Sequence, residues 1–304
     1  MKITVGTRGS PLALKQTNLV LDILRREHPG VEFVVKTVQT QGDLRPNVPM
    51  QELPRGLFAK ELEDALAAGE IDLAVHSFKD LPTDINPAFA LAAIGKREDP
   101  RDVLVTPNRL SLRDLEPGAR LGTSSPRRLA QIKAFRPDLD IMSIRGNVGT
   151  RIRKAQEGEY EGVVLAAAGI RRLGLENQIT EFLEPEVCLP AVGQGALALE
   201  IRAGDKQTAE IAAAANHHET NVAVTAETAV LQRLGGGCRT PIAAYARIND
   251  NMLNIAGMVA SYSGERLIRT SLTHSASQPE SAGALLAQQL LDMGAGPLLA
   301  DGGR

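Results

Sequence analysis

Between Lys2 and Ala168 the chain alternates β-branched apolar runs with segments of helical periodicity, and this rhythm limits the fold more than any single motif. The spacing predicts a strand over Lys2–Thr7, then a helix opened by Ser10 as N-cap and Pro11 at its first position. That helix runs through Leu12, Leu19, Val20, Ile23 and Leu24 to a stop at His28-Pro29-Gly30. Val31–Thr40 alternates as a strand, Leu57–Ala68 reads as a helix, and Ile71–Val75 is a short apolar strand leading into His76-Ser77-Phe78-Lys79-Asp80. A second unit repeats the scheme: strand at Arg120–Thr123, helix from Ser125-Pro126 to Phe135, strand at Ile141–Ile144, helix over Val148–Gln156, buried strand at Gly162–Ala168. Such patterning favours mainly parallel sheets covered by helices, with ligands held at the carboxyl ends of the strands.

The two units echo one another. Gly6-Thr7-Arg8-Gly9-Ser10-Pro11 followed by Gln16 parallels Gly122-Thr123-Ser124-Ser125-Pro126 followed by Gln131, with six positions from Ser to Gln in each. The echo would place two helix N-termini, with exposed N–H groups and a positive dipole end, at a shared cleft. The last third changes character. A helix over Asn216–Leu234 is broken by Gly235-Gly236-Gly237, and strands over Ile242–Ile248, Asn254–Ser261 and Arg266–Thr273 precede a helix near Ser281–Leu291, as in a small α+β domain.

Composition narrows the class. With 43% hydrophobic and 23% charged residues in 304, the chain has the mixture of a globular protein of two or three domains. No run approaches the roughly 20 apolar residues of a membrane span, and Met1-Lys2-Ile3-Thr4-Val5 leaves no room for an export signal, so a cytoplasmic location is expected. Two cysteines, Cys188 and Cys238, cannot form a disulfide framework. The net charge of −2 exerts no global pull on nucleic acid, but residues 120–154 hold seven arginines and two lysines against two aspartates, a net of +7. Arginine outnumbers lysine 25 to 9, which suits recognition of carboxylates or phosphates, although a basic run also serves as a solvated face. An RNA surface is disfavoured because aromatic residues are 3% of the chain and tryptophan is absent.

Several candidate motifs can be weighed. Gly193-Gln194-Gly195-Ala196-Leu197-Ala198 matches a relaxed dinucleotide fingerprint, but Leu197, Leu199 and Ile201 alternate like a strand where a helix is required. The histidines, including the His217-His218 pair, do not form a metal-ligand pattern, so no metal is expected. Gly235-Gly236-Gly237-Cys238 lets the backbone approach a ligand and could present a nucleophile or covalent anchor, yet it also fits a helix C-cap before a buried cysteine, the more common arrangement. Cys188 beside Leu189-Pro190 reads as core. Lys79-Asp80, Thr123-Ser124-Ser125 and Arg145-Gly146-Asn147 all sit at strand ends. Arg127 and Arg128 lie in the first turn of a helix, where positive charge opposes the dipole unless an anion relieves it.

Taken together these segments resemble the porphobilinogen deaminase (hydroxymethylbilane synthase) family. The motifs are Thr7-Arg8-Gly9-Ser10-Pro11-Leu12-Ala13-Leu14, Gly56-Leu57-Phe58-Ala59-Lys60-Glu61, His76-Ser77-Phe78-Lys79-Asp80-Leu81-Pro82-Thr83, Arg97-Glu98-Asp99-Pro100-Arg101-Asp102, Gly122-Thr123-Ser124-Ser125-Pro126-Arg127-Arg128 and Arg145-Gly146-Asn147-Val148-Gly149-Thr150-Arg151. They continue with Leu189-Pro190-Ala191-Val192-Gly193-Gln194-Gly195-Ala196, Asn216-His217-His218-Glu219-Thr220 and Gly236-Gly237-Cys238, in family order along residues 7 to 241. One departure is Pro54-Arg55 before Gly56, where the family often has glycine-lysine; the charge is kept and the loop is stiffer.

The resemblance implies an α/β fold of two periplasmic-binding-protein-like domains with a cleft between them, residues 1–95 plus 194–215 and residues 96–193, and a small C-terminal α+β domain over 216–304. It implies a dipyrromethane cofactor held through a thioether to Cys238, and head-to-tail condensation of four porphobilinogen molecules with loss of ammonia before water releases hydroxymethylbilane. Asp80 would oppose the cation left when ammonia departs, with Lys79 beside it. Arg127, Arg128, Ser125, Ser124, Thr123, Arg145, Gly146, Lys79, Asp80 and Ser77 would hold the cofactor, and Arg8, Ser10, Gln16, Arg145, Arg151, Arg172, Gln194 and Lys60 the substrate. The family suggests a monomer without nucleic-acid or membrane partners. The non-enzymatic alternative is a two-lobed solute-binding protein for an anionic ligand, which would need an export signal and no Gly236-Gly237-Cys238.

Overall fold

A computed structural model describes residues 1–40, 59–236 and 240–300. In chain order the first elements are β1 (Lys2–Arg8), α1 (Pro11–Glu27), β2 (Glu32–Val38), α2 (Lys60–Ala67), β3 (Leu73–Ser77), a 3₁₀ turn over Phe78–Asp80, and β4 (Phe89–Ile94). Next come β5 (Asp102–Val105), β6 (Arg120–Gly122), α3 (Pro126–Phe135), β7 (Asp140–Met142), α4 (Val148–Gln156), β8 (Gly162–Ala166), α5 (Ala167–Arg172) and β9 (Glu181–Leu183). The chain ends with β10 (Leu197–Arg202), α6 (Lys206–Ala212), α7 (His218–Leu234), β11 (Ile242–Asn249), β12 (Met252–Ala260), β13 (Leu267–Ser275), α8 (Pro279–Asp292) and α9 (Ala295–Ala300). No helix among the described residues is long and apolar enough to cross a membrane.

Contacts divide the chain into two units, Met1–Glu98 with Gly195–Asn221, and Asp99–Gln194 with Val222–Arg304. The first unit holds a five-stranded sheet in the order β2-β1-β3-β10-β4. β1 runs parallel to both β2 and β3, whereas β10 is antiparallel to β3 and to β4. The sheet is thus mainly parallel, with one reversed strand. Ile3, Val5, Leu73, Val75, Leu197, Leu199 and Ile201 line one face and pack on Val20, Leu21 and Leu24 of α1. Ala74 lines the other face with Leu62, Ala65 and Leu66 of α2. The helix start expected at Ser10 is present: its Oγ accepts from the Ala13 N–H at 3.2 Å, and Pro11 fills the first position, where a missing N–H costs nothing.

The second unit repeats the plan in the order β7-β6-β8-β5-β9, with β5 reversed. Ser125 caps α3 as Ser10 caps α1, accepting from the Arg128 N–H at 3.4 Å ahead of Pro126. In each sheet the reversed strand is the first to follow the chain's passage from the other unit: β5 after β4, and β10 after β9. The run expected as strand over Gly162–Ala168 stops at Ala166, and α5 begins at Ala167. A short apolar run fits a buried strand and a buried helix equally well.

The same unit carries the antiparallel meander β11-β12-β13, against which α8 packs. A Cβ at Gly257 of β12 would lie 2.9 Å from Leu286 of α8, and a Cβ at Gly283 of α8 would lie 2.2 Å from the Ala226 carbonyl oxygen of α7. Backbone cannot retreat as a side-chain tip can. Gly283→Ala is therefore expected to lower stability in urea unfolding by about 1–3 kcal/mol. Gly296→Ala, in open space on α9, is expected to leave it unchanged or raise it by about 0.5–1 kcal/mol.

Candidate functional site

In the first unit the carboxyl ends of β1 and β3, neighbouring parallel strands, carry the expected residues to one edge of the sheet. Arg8 ends β1 and is half-buried, and Ser10 follows at the α1 cap. Gln16 of α1 is buried and exchanges hydrogen bonds with Ser77 at the end of β3: its Nε2 donates to Ser77 Oγ at 2.9 Å, and that hydroxyl reaches Gln16 Oε1 at 3.2 Å. The chain then makes a single 3₁₀ turn, closed by the Leu81 N–H on the Phe78 carbonyl, which presents half-buried Lys79 and Asp80. The Phe78 N–H donates to the Ala196 carbonyl at 3.0 Å, tying this turn to the start of β10. Lys60 lies on the exposed side of α2, 2.7 Å from Asp64, whose hydrogen bond and charge raise its pKa.

In the second unit the ends of β6, β7 and β8 play the same part. Thr123 donates its N–H to the Met142 carbonyl, and its Oγ1 accepts from the Ser125 N–H. Ser124 Oγ donates to the Ile144 carbonyl at 2.6 Å and accepts from the Ile144 N–H at 3.0 Å, locking this loop to the one after β7. Gly146 has φ of 113°, and a Cβ there would sit 2.7 Å from Thr150, so the position requires glycine. Asn147 caps α4 through the Thr150 N–H, and Arg151 Nε donates back to the Gly146 carbonyl at 2.8 Å. Arg145 beside it and Arg172 in the last turn of α5 are half-buried.

The most strongly charged feature is one that the sequence reading did not single out. Asp102, at the start of β5, is fully buried and takes five donors. Arg127 Nη1 reaches Oδ2 at 2.6 Å, and Cys188 Sγ reaches the same oxygen at 3.2 Å. Arg128 Nε and Nη2 reach Oδ1 at 3.0 and 2.7 Å, and Gln194 Nε2 joins them at 2.9 Å. Arg127 also donates to the Leu189 carbonyl and Arg128 to that of Val164. Burial alone would push the Asp102 carboxyl up, but the charges of Arg127 and then Arg128, with their hydrogen bonds, hold it far below the usual carboxylate range. Burial, and then the Asp102 charge, push the Cys188 thiol up to about 12, so this sulfur is no nucleophile at neutral pH.

Two guanidiniums against one carboxylate leave the first turn of α3 with a surplus positive charge beside Thr123, Ser124 and Ser125. Arg127, Arg128 and Gln194, expected as ligand contacts, thus have Asp102 as a partner. Cys238, and the Pro54-Arg55 and Gly56-Leu57-Phe58 segment, lie outside the described residues. Among the described residues no three His, Cys, Asp or Glu side chains are grouped to hold a metal.

Residues 3–210 match the family model described as porphobilinogen deaminase, dipyromethane cofactor binding domain, and residues 221–292 match the porphobilinogen deaminase C-terminal domain. The chain belongs to the porphobilinogen deaminase family. It is 47% identical over 299 residues to the porphobilinogen deaminase of Roseiflexus castenholzii, covering 98% of each chain. It is 48% identical over 299 residues to that of Syntrophotalea carbinolica, covering 98% of this chain and 95% of the relative. Among solved structures, the periplasmic VFT2 domain of BvgS from Bordetella pertussis aligns with 71% of this chain and 86% of its own at 18% identity and a TM-score of 0.41. The three-sheet architecture rests on the strand orders above and not on that overlap.

Replacing Asp102 by Asn would leave two buried guanidiniums facing a neutral amide, and a loss of about 3–5 kcal/mol in urea unfolding at pH 7 is expected. Folding holds the Asp102 pKa down, so its stabilisation is full above the unfolded value of about 3.9 and fades as pH falls below it. The gap between wild type and Asp102→Asn is therefore expected to be constant from pH 7 to 5 and to narrow towards pH 3.

Proposed function

We propose that this chain is a cytoplasmic, monomeric transferase that condenses four porphobilinogen molecules head to tail, each with loss of ammonia, and releases the linear tetrapyrrole hydroxymethylbilane by hydrolysis. The observation that carries this reading is the pair of family matches over 3–210 and 221–292, with Lys79 and Asp80 at the carboxyl end of β3. The chemistry of the donor set fits a dipyrromethane, which carries acetate and propionate groups on pyrroles with N–H donors. The second unit offers guanidiniums and hydroxyls for the carboxylates, and the turn after β3 offers one carboxylate for N–H groups. When bound, the cofactor supplies the pyrrole carbon to which the first substrate unit is joined.

The roles of this chain's residues follow from charge. Asp80 would accept hydrogen bonds from pyrrole N–H groups and stabilise the positive charge that develops on porphobilinogen as its aminomethyl nitrogen leaves. Lys79, Ser77 and Gln16 would set the position of that carboxylate. Arg8, Ser10, Lys60, Arg145, Arg151, Arg172 and Gln194 would bind substrate, and Thr123, Ser124, Ser125, Gly146, Arg127 and Arg128 would hold the cofactor. For the last two the route is partly indirect: Asp102 takes one unit of their charge, and the remainder acts at the α3 N-terminus, where a charge-assisted hydrogen bond contributes roughly 1.5–3 kcal/mol. Cys238 would carry the cofactor through a thioether.

Intact mass of the denatured protein, purified from cells that make porphobilinogen, tests the anchor. A mass raised by two condensed porphobilinogen units is expected, retained in Cys188→Ala and lost in Cys238→Ala; an adduct that survives Cys238→Ala overturns the assignment. Asp80→Asn is expected to keep its fold and lose about 10²–10³ in kcat, the scale for removing one charge-stabilising group. Ordinary turnover in that variant would strip Asp80 of its role.

A further inference from the structure

Across β3 and β10, Ala198 stands opposite His76 and Glu200 opposite Ala74. On the face towards α2 the diagonal pair is polar: His76 Nε2 lies 3.0 Å from Glu200 Oε2, with the two side chains 5% and 0% exposed. Glu200 Oε1 is buried and has no hydrogen-bond partner. Glu63 of α2 adjoins the pair, its carboxyl pushed up by burial first and then by the Glu200 charge, with His76 opposing. A wholly buried acid with one oxygen unused, flanked in its strand by Leu197, Ala198, Leu199 and Ile201, is costly. For stability alone an apolar pair would serve as well or better.

What the pair does secure is register. A slip of one residue between β3 and β10 would bring every side chain to the wrong face. In the observed register His76 and Glu200 meet diagonally, and a slip of one residue would turn one of them into the α1-side core. The turn bearing Lys79 and Asp80 starts two residues after His76. The second unit follows the same logic: its reversed strand β5 also carries a wholly buried acid, Asp102, bonded to side chains from elsewhere in the unit. We propose that His76 and Glu200 are positioning residues, a buried pair that fixes β3 against β10 and thereby places the Lys79–Asp80 turn for the condensation. This rests on the deaminase reading of Asp80. The Gln16–Ser77 bonds do the corresponding work from the α1 face.

The test compares wild type with His76→Leu/Glu200→Leu, which restores an apolar strand pair, and with Glu200→Gln, which keeps volume and an acceptor for His76. The double variant is expected to melt at or above the wild-type temperature, yet to lose about tenfold or more in kcat with KM little changed. Hydrogen exchange over residues 73–82 is expected to accelerate while β1 stays protected. A merely structural pair would give the reverse, activity recovering with stability. Should the double variant fail to fold, Glu200→Gln supplies both readouts, with slower turnover and faster exchange expected. Wild-type kcat together with wild-type exchange in a folded variant overturns the proposal. The exchange measurement needs no substrate, so a wild type inert towards porphobilinogen would refute the deaminase reading while the register claim stands or falls on exchange alone.

Discussion

The second unit is organised around one buried anion. Asp102 gathers donors from the first turn of α3, from Cys188 and from Gln194, and its two arginines reach on to the carbonyls of Val164 and Leu189. Three charges taken out of water cost several kcal/mol each, and the arrangement holds because both Asp102 oxygens, Arg127 Nη1 and all three Arg128 nitrogens are met at 2.6–3.2 Å. Removing the carboxylate would leave the arginines without their counter-charge. Keeping it lets positive side chains stand at a helix N-terminus against the dipole, with net charge left for an anionic ligand.

The two units solve the same problem with different chemistry. Each joins a parallel β-α-β core to a reversed strand that arrives after the chain's passage from the other unit, and each places a buried acid on that strand. In the second unit two arginines satisfy the acid. In the first a single histidine does, and one oxygen is left over. The glycines behave likewise: a Cβ at Gly6 would strike Ile71 and one at Gly122 would crowd Tyr160 and Val163, so both parallel cores need a bare backbone at the same point.

Much of this was legible in the sequence because its signals are local. Ser-Pro starts, β-branched alternation and the Ser-to-Gln echo gave both helix caps and both parallel cores. β4, β5, β9, α6 and α9 leave no legible pattern, since elements of three to seven residues carry too little periodicity. Gly162–Ala168 is one apolar run that covers both a strand and the start of a helix, and its period does not separate them. The site was legible where motifs sit at strand ends. The partners of Arg127, Arg128 and His76 were not, because those contacts span 25, 26 and 124 residues. A faint signal existed in each case: Asp102 and Glu200 are acids embedded in runs that otherwise become buried strand.

Release of ammonia separates an arrangement that performs a condensation from one that merely binds an anion. The direct measurement is incubation of the purified protein with porphobilinogen, following ammonia and linear tetrapyrrole together. A condensing enzyme releases one ammonia for each porphobilinogen consumed and one hydroxymethylbilane for every four, over many turnovers. Saturable binding of porphobilinogen without release of ammonia, by protein that carries its covalent pyrroles, would contradict the condensation.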